Sequence, residues 1–303
     1  MEIARLNAGR YGIFHALRVY GVKKLFMPFY QCPSVAKYII NEGIEVIKYS
    51  LTTDFEPQVS SIPSDSAILI VNYFGILGEK RLTQISSRFK RVIIDNSQAF
   101  FTQPIGNCLN VYSPRKFFGV PDGCYVIGSG ASQFVDDYEQ DFSSDTASFL
   151  FKRIELGCSS VYAERQKNEM RIDTSGIRKM SLLTETLLLG IDYEAIYCQR
   201  RLNFEAAHNL WKDINEINPN SIVDEPLAPM VYPLVIKNRE IVSVLKEKLV
   251  YTGRWWNHVL SEVESNSFES FLSQYMIPIP IDQRYTASTM MLINEIILDT
   301  ISK

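Results

Sequence analysis

The sequence predicts an α/β protein with a mostly parallel central sheet, helices on both faces, and a small C-terminal α+β lobe. Short apolar runs bounded by turn-forming residues alternate with helical segments through the first half of the chain, which is typical of βαβ units. One run, 92–94, is apolar throughout, as expected for a buried strand, and leads directly into Asp95. A later run, 109–112, is soon followed by Lys116. Ligands of such sheets bind at the carboxyl ends of the strands, so Asp95 and Lys116 mark the expected site.

The first half of the chain contains the predicted sheet. A helix begins just after Gly9, because Ile13, Leu17 and Tyr20 share one apolar face. Further helices are predicted from about residue 35 and over 82–89. The predicted strands cover 24–28, 45–49, 67–71, 92–95, 109–112 and 123–127. Strand and helix in this alternation imply parallel pairing.

The second half of the chain is mostly helical before the C-terminal lobe. A helical stretch over 147–169 is interrupted at Gly157, and the polar segment 170–176 is expected to connect two domains, 1–175 and 176–303. A helix at 182–189 and a basic segment reaching residue 203 come next. Strand 230–236, helix 241–250, an aromatic loop, a short strand near 277–281 and helix 288–301 make up the lobe.

Composition excludes several classes of function. The 303 residues are 46% hydrophobic and 21% charged, and a net charge of −3 gives no overall attraction to nucleic acid or acidic lipids. The start lacks a secretory pattern and no run of about 18 apolar residues occurs, so we expect a cytoplasmic protein that binds neither nucleic acid nor membrane. The 5 cysteines and 3 histidines are scattered without ligand spacing, which predicts free thiols and no metal site.

The residues around Asp95 form a recognisable set. Asp95-x-x-Gln98, followed by Ser113-x-x-Lys116 and then Pro-Asp-Gly, resembles the active-site signature of the DegT/DnrJ/EryC1/StrS aminotransferases. These are the sugar aminotransferase branch of the fold-type I pyridoxal-phosphate (PLP) enzymes. The resemblance implies that Lys116 forms the Schiff base with PLP, that Asp95 pairs with the ring nitrogen, and that Gln98 lies beside the ring oxygen. The alternative for Asp95 and Lys116 is a structural ion pair.

The implied roles agree with the chemistry of these side chains. PLP withdraws electrons only while its ring nitrogen is protonated, and a fixed carboxylate such as Asp95 favours that charged form. A lysine amine attacks an aldehyde carbon, and once released it can carry a proton to and from the substrate carbon. Lys116 would serve both steps.

The resemblance also implies further cofactor-binding residues, at positions where this sequence matches the family less well. Ala8, Gly9 and Arg10 resemble the family's phosphate turn at a helix start, where backbone N–H groups attract anions; an ordinary helix entrance is the alternative. Ser113 is the candidate hydroxyl for the phosphate, although the family places it two positions earlier, at Val111. Tyr30 is the candidate to stack on the cofactor ring, with core packing as the alternative and Cys32 second.

The substrate side is predicted from the second half of the chain. The segment 178–201 resembles the family's dimer-forming region, so Arg178 is expected to approach the partner's active site; the alternative is a charged helix face with Arg200 and Arg201 solvated. Arg284 is a candidate clamp for a carboxylate or phosphate, or else pins its turn through Asp282. Trp255 is a candidate sugar-stacking platform, or part of the lobe's core.

These observations together predict a PLP-dependent aminotransferase. The resemblance implies transfer of an amino group, with glutamate as the expected donor, onto a nucleotide-linked keto sugar in glycoconjugate biosynthesis, by a homodimer. One alternative is a dehydratase-like PLP reaction, in which the relatives replace the lysine by His. Another is a non-catalytic protein that retains the fold, since Asn72 stands where the family has His and Val111 where it has a hydroxyl.

Overall fold

The computed structural model describes residues 1–217 and 227–302. Its centre is a 7-stranded sheet in the order β1-β7-β6-β5-β4-β2-β3. The strands are β1 Glu2–Leu6, β2 Lys24–Pro28, β3 Glu45–Tyr49, β4 Ala67–Val71, β5 Val92–Asn96, β6 Leu109–Tyr112 and β7 Cys124–Gly128. Strands β2 to β6 pair in parallel, and β7 runs antiparallel to both β6 and β1. This confirms the predicted mostly parallel sheet.

The central strands place Asp95 in the middle of the sheet. Every residue of β4 and β5 is buried, as their unbroken apolar sequences predict for strands covered on both faces. Asp95 lies in register with Val71 of β4 and Val111 of β6. The loops that follow these three strands therefore leave the sheet at the same edge.

Among the described residues, three α-helices lie between the strands of this sheet and four more lie between the sheet and the C-terminal lobe. They are α1 Gly9–Tyr20, α2 Pro33–Asn41, α3 Glu79–Ser86, α4 Ser148–Leu156, α5 Tyr162–Ser175, α6 Leu182–Leu189 and α7 Tyr193–Trp211. The C-terminal lobe pairs β8 Val231–Val235 antiparallel with β9 Met276–Pro280 and adds α8 Ile241–Glu247, α9 Phe268–Tyr275 and α10 Ala287–Ile301. Strands and helices in this lobe confirm its α+β class. Within the described residues, no helix combines the length and apolar character needed to cross a membrane.

Two stretches differ from the sequence prediction. Strand β1 was not predicted, because only Ala4 and Leu6 of its five residues are buried and it lies at the sheet edge against β7. Residues 170–175 were predicted as a connector but continue α5. These six residues are mostly polar and bury only Ile172, whose carbonyl accepts a hydrogen bond from Tyr11 Oη.

Gly12 allows α1 to lie close to the sheet. A Cβ at this position would come within 2.5 Å of Cys124 Sγ and 3.0 Å of a Val111 methyl carbon. Gly12→Ala is therefore expected to lower the free energy of unfolding by about 1–3 kcal/mol, the range for overpacking a close-packed interior. Urea unfolding checks this. Gly106→Ala is the control, because a Cβ there meets no atom within 4 Å; equal stability of the two variants would contradict the prediction.

Candidate active site

Asp95 is held by neutral donors. The side chain is 5% exposed; its Oδ1 accepts from Ser97 N at 2.9 Å and its Oδ2 from Gln31 Nε2 at 2.9 Å. Gln31 is itself fixed, because its Oε1 accepts from Cys32 N at 2.8 Å. No Lys or Arg of the described residues forms an ion pair with Asp95, so the alternative of a structural pair with Lys116 is not observed. A buried carboxylate without a cation is suited to a cationic ligand.

Gln31 was not singled out from the sequence. It lies just beyond the end of β2, 64 residues from Asp95, and nothing in the local pattern shows that the two side chains meet. The one hint in the sequence is that Gln31, an amide, follows two aromatic residues, Phe29 and Tyr30, in a segment expected to be buried. Its role here is to orient the carboxylate of Asp95.

Lys116 ends a 3-10 turn, Pro114–Lys116, that directly follows β6. Its backbone N–H donates to Ser113 O at 3.2 Å, which closes the turn. The side chain is exposed and makes no hydrogen bond or ion pair with any described residue. Its amine is therefore not engaged by any other side chain of the described residues.

Gln98 joins the loop after β5 to the loop after β4. It is 3% exposed, and its Oε1 accepts from Phe74 N at 2.8 Å. Its Nε2 donates to none of the described residues, which leaves both of its N–H groups for a ligand. Gly75 makes this contact possible: its φ is 86°, and a Cβ there would lie 2.5 Å from Gln98 O.

The N-terminus of α1 lies beside the Asp95 loop. A Cβ on Gly9 would be 3.1 Å from Ser97 Oγ. Ala8 is the N-cap without a side-chain cap, the first turn has no acidic residue, and the N–H groups of Gly9 and Arg10 are unpaired within the described residues. Unpaired N–H groups at the positive end of a helix bind anions. The Arg10 side chain is engaged elsewhere, in an ion pair with Asp173 at 2.5 Å.

Asn72 stands at one of the two positions that depart from the family pattern, and Ser113 offers the hydroxyl that the other, Val111, lacks. Ser113 is 4% exposed and its hydroxyl makes no hydrogen bond to a described residue. Asn72 is fully buried; its Nδ2 donates to Leu77 O and Asn96 Oδ1, both at 3.1 Å, and its Oδ1 accepts from Leu77 N. Asn72 thus closes the loop that presents Phe74 and Gly75.

Tyr30 lies in an aromatic cluster. It is 0% exposed, its ring centroid is 4.5 Å from that of Trp256 and 5.8 Å from that of Tyr73, and burial raises the pKa of its hydroxyl well above the ordinary value. These contacts correspond to the packing alternative. Cys32 is half-buried, with its Sγ 3.1 Å from Ser34 Oγ.

The candidate substrate residues have partners within the chain. Arg284 forms a two-pronged ion pair with Asp282, with both N–O distances 2.8 Å, as its turn-pinning alternative requires. Trp255 stacks on Phe74, with centroids 5.8 Å apart and planes at 27°. Arg178 pairs with Glu139 at 3.2 Å.

Arg200 is not solvated, as the alternative of a charged helix face would require. The side chain is 2% exposed and contacts the C-terminal lobe and the residue after Lys116. The sequence shows an Arg-Arg pair on a polar helix, which indicates neither residue as buried. Arg201, its neighbour, is half-exposed and pairs with Glu205.

No protein-family profile matches the sequence, and no curated protein matches it. Solved structures do match, over nearly the whole chain. A DegT DnrJ EryC1 StrS aminotransferase from Brucella abortus is 15% identical over 99% of this chain and 86% of that one, with a TM-score of 0.64. A candidate sugar aminotransferase from Streptococcus pneumoniae, in its PLP form, is 13% identical over 97% and 85%, with a TM-score of 0.65. DesI, solved in the presence of its TDP-sugar product, is 11% identical over 98% and 80%, with a TM-score of 0.64. The chain therefore has the fold of the sugar aminotransferases, fold-type I, as its sequence predicted.

Proposed function

We propose that the protein is a PLP-dependent aminotransferase that moves an amino group, with glutamate as donor, onto a nucleotide-linked keto sugar. The observation that carries the proposal is the free amine of Lys116 on the loop after β6, beside a strand whose Asp95 is buried without a cation. The fold, common to structures described as sugar aminotransferases, supports the substrate class. We propose a cytoplasmic location for the activity, because nucleotide sugars and glutamate are both available there.

The residues present fit PLP. Lys116 offers an unpartnered amine for the aldehyde carbon, and Asp95 offers a carboxylate whose orientation is fixed by Gln31 and Ser97. The uncapped start of α1 offers unpaired N–H groups for the phosphate, and Ser113 offers a hydroxyl without another partner. When bound, PLP accepts electron density from the carbon that carries the amino group.

Each of these side chains has a defined task. Asp95 would favour the protonated ring nitrogen through its negative charge, and its two neutral donors, Ser97 N and Gln31 Nε2, fix the orientation of the carboxylate. Gln98 would offer its Nε2 to the ring oxygen, since its Oε1 already accepts from Phe74 N. Lys116 would hold the cofactor and would carry the proton that leaves the donor carbon.

A half-reaction assay tests the proposal. The protein with PLP and glutamate should release 2-oxoglutarate once per active site and then stop until a nucleotide-linked keto sugar is added. Formation of an aminated nucleotide sugar would establish the second half. Loss of a hydroxyl group from the nucleotide sugar as water, without net amino transfer, would instead support the dehydratase-like alternative and refute the proposal.

We further propose that the active unit is a homodimer. Several large apolar side chains between residues 142 and 189 are mostly exposed: Phe142 75%, Phe151 61%, Ile154 81%, Leu182 63% and Leu189 87%. The hydroxyls of Ser143 and Ser181 lie 2.7 Å apart, so Phe142 and Leu182 flank one point of the surface. Contiguous exposed apolar groups are typical of interfaces between proteins, and a twofold axis would let this one cover each subunit's site.

The dimer proposal predicts complementation. Sedimentation should give about twice 34.7 kDa. A mixture of inactive Lys116→Ala and Arg178→Ala proteins should recover up to about a quarter of the wild-type activity, since half of the dimers would be hybrids with one intact site. Each variant treated in the same way on its own should remain inactive. A fully active monomer, or no recovery in verified hybrids, would contradict a site shared between subunits.

A further inference from the structure

A buried guanidinium joins the C-terminal lobe to the turn that carries Lys116. Arg200, on α7, is 2% exposed. Its hydrogen bonds go to neutral acceptors: Nε donates to Gln283 Oε1 at 3.1 Å, and Nη1 to the carbonyls of Pro229 and Met230, each at 3.2 Å. No carboxylate of the described residues forms an ion pair with it, because the nearby Asp282 is taken up by Arg284.

The same guanidinium contacts the residue that follows Lys116. Arg200 Cζ lies 4.5 Å from the centroid of the Phe117 ring, within the range of a cation–π contact. Gln283, the partner of Arg200, donates from Nε2 to Phe117 O at 2.9 Å. Phe117 is therefore held at its ring and at its carbonyl by two side chains that also bind each other.

The carbonyl partners of Arg200 reach the other side of the site. Met230 N donates to Phe74 O at 2.7 Å, and Phe74 N donates to Gln98 Oε1 at 2.8 Å. Pro229 packs on Gly75, where a Cβ would be 3.1 Å from Pro229 Cα. One side chain thus connects the Lys116 turn, through Phe117, with the loop that fixes Gln98, through the segment 229–230.

The burial of Arg200 is unfavourable and calls for a reason. Desolvation lowers the pKa of its guanidinium to about 10, which leaves it charged at neutral pH. A buried charge without an ionic partner is costly, and an apolar side chain of similar length would fill the same space without that cost. The guanidinium, however, offers several donors in a fixed plane together with a face for the ring of Phe117, which an apolar or ammonium side chain cannot reproduce.

We propose that Arg200 and Gln283 form a clasp that positions Lys116 relative to the Asp95–Gln98 loop. Both are positioning residues, since they act through Phe117 and not on a reacting atom. The proposal rests on the proposed function for its consequence in catalysis, while the placement of Lys116 itself is a property of the cofactor-free chain.

The first test measures Lys116 without cofactor. The variants are Gln283→Leu, Arg200→Met and Arg200→Lys, and the matched control is Arg201→Ala, which removes the neighbouring, half-exposed arginine of α7 that pairs with Glu205. Each protein is labelled with an amine-acetylating reagent over a range of pH, and labelling of Lys116 is followed by peptide mass spectrometry against the other lysines. We expect a changed rate and pH profile at Lys116 alone in the clasp variants, with Arg200→Lys intermediate because it retains the charge near Phe117.

The second test adds PLP. Adduct formation at Lys116, measured by absorbance and borohydride trapping, should be about 10- to 100-fold slower in Gln283→Leu and Arg200→Met, the range for misplacement of a reacting group by about 1 Å. Unfolding midpoints identify any variant that is not folded; Gln283 is half-exposed, so Gln283→Leu keeps the test decisive if Arg200→Met does not fold. A folded Gln283→Leu protein whose Lys116 labels and reacts as in the control would overturn the clasp. Failure of the wild type to form any adduct would instead refute the proposed function, and the labelling result would still decide the clasp.

Discussion

Asp95→Asn is expected to slow amino transfer by at least about 10²-fold while PLP still binds, because the variant loses a preorganised charge but little volume. The carboxylate is buried and accepts hydrogen bonds from Ser97 N and Gln31 Nε2. Solvent therefore cannot take over the role of its negative charge in the variant. An amide at this position can still accept one of these hydrogen bonds. It cannot keep a ring nitrogen protonated.

Steady-state rates with glutamate, together with a PLP binding titration, check this expectation. Asp213→Asn serves as the control: it removes an exposed carboxylate just after the end of α7 and should behave as wild type. Turnover of Asp95→Asn within a few-fold of wild type would show that Asp95 is only a structural residue of β5.

Lys116→Ala is expected to lose amino transfer by about 10⁴-fold or more, since one change removes both the covalent attachment and the positioned acid–base group. Stability should change little, because the side chain is exposed and has no partner among the described residues. The contrast between a large loss of rate and an unchanged unfolding midpoint distinguishes a reacting group from a structural one. Lys179→Ala, which removes a surface ion pair with Asp136, is a suitable control.

Much of the sheet was predictable because its strands are local patterns. The strands β2, β3, β4 and β6 begin and end as predicted, since each is a short apolar or β-branched run bounded by turn-forming residues. Strand β1 was missed because an edge strand with two buried residues has no comparable signal. The end of α5 was missed because its packing depends on a contact with Tyr11, 161 residues away.

Candidate site residues could be picked out from the sequence where the proposed chemistry depends on single residue types. Asp95 and Lys116 stand out at strand ends, where core packing does not require charge. The polar residues that meet across the fold around this site do not stand out. Gln31 is 64 residues from Asp95, to which it donates a hydrogen bond, and Gln283 is 83 residues from Arg200, from which it accepts one. Polar side chains that act by meeting a distant partner look like ordinary surface residues until the fold brings them together.

The substrate side shows the same limit. Arg284 has the sequence context of an anion clamp, yet its fork is filled by Asp282 two residues away. Arg200, which the alternative of a charged helix face would leave in solvent, is buried because α7 packs against the turn that contains Gln283. Charge patterns along a helix do not distinguish a solvated arginine from one that binds backbone carbonyls of another segment.

The central claim is that Lys116 is the amine that reacts with PLP. Borohydride reduction of the protein in the presence of PLP, followed by proteolysis and peptide mass spectrometry, measures this directly. We expect one stable pyridoxyl label per chain, located on Lys116 and absent from Lys116→Ala. A label on a different lysine, or an unlabelled protein that is folded and saturated with PLP, would contradict it.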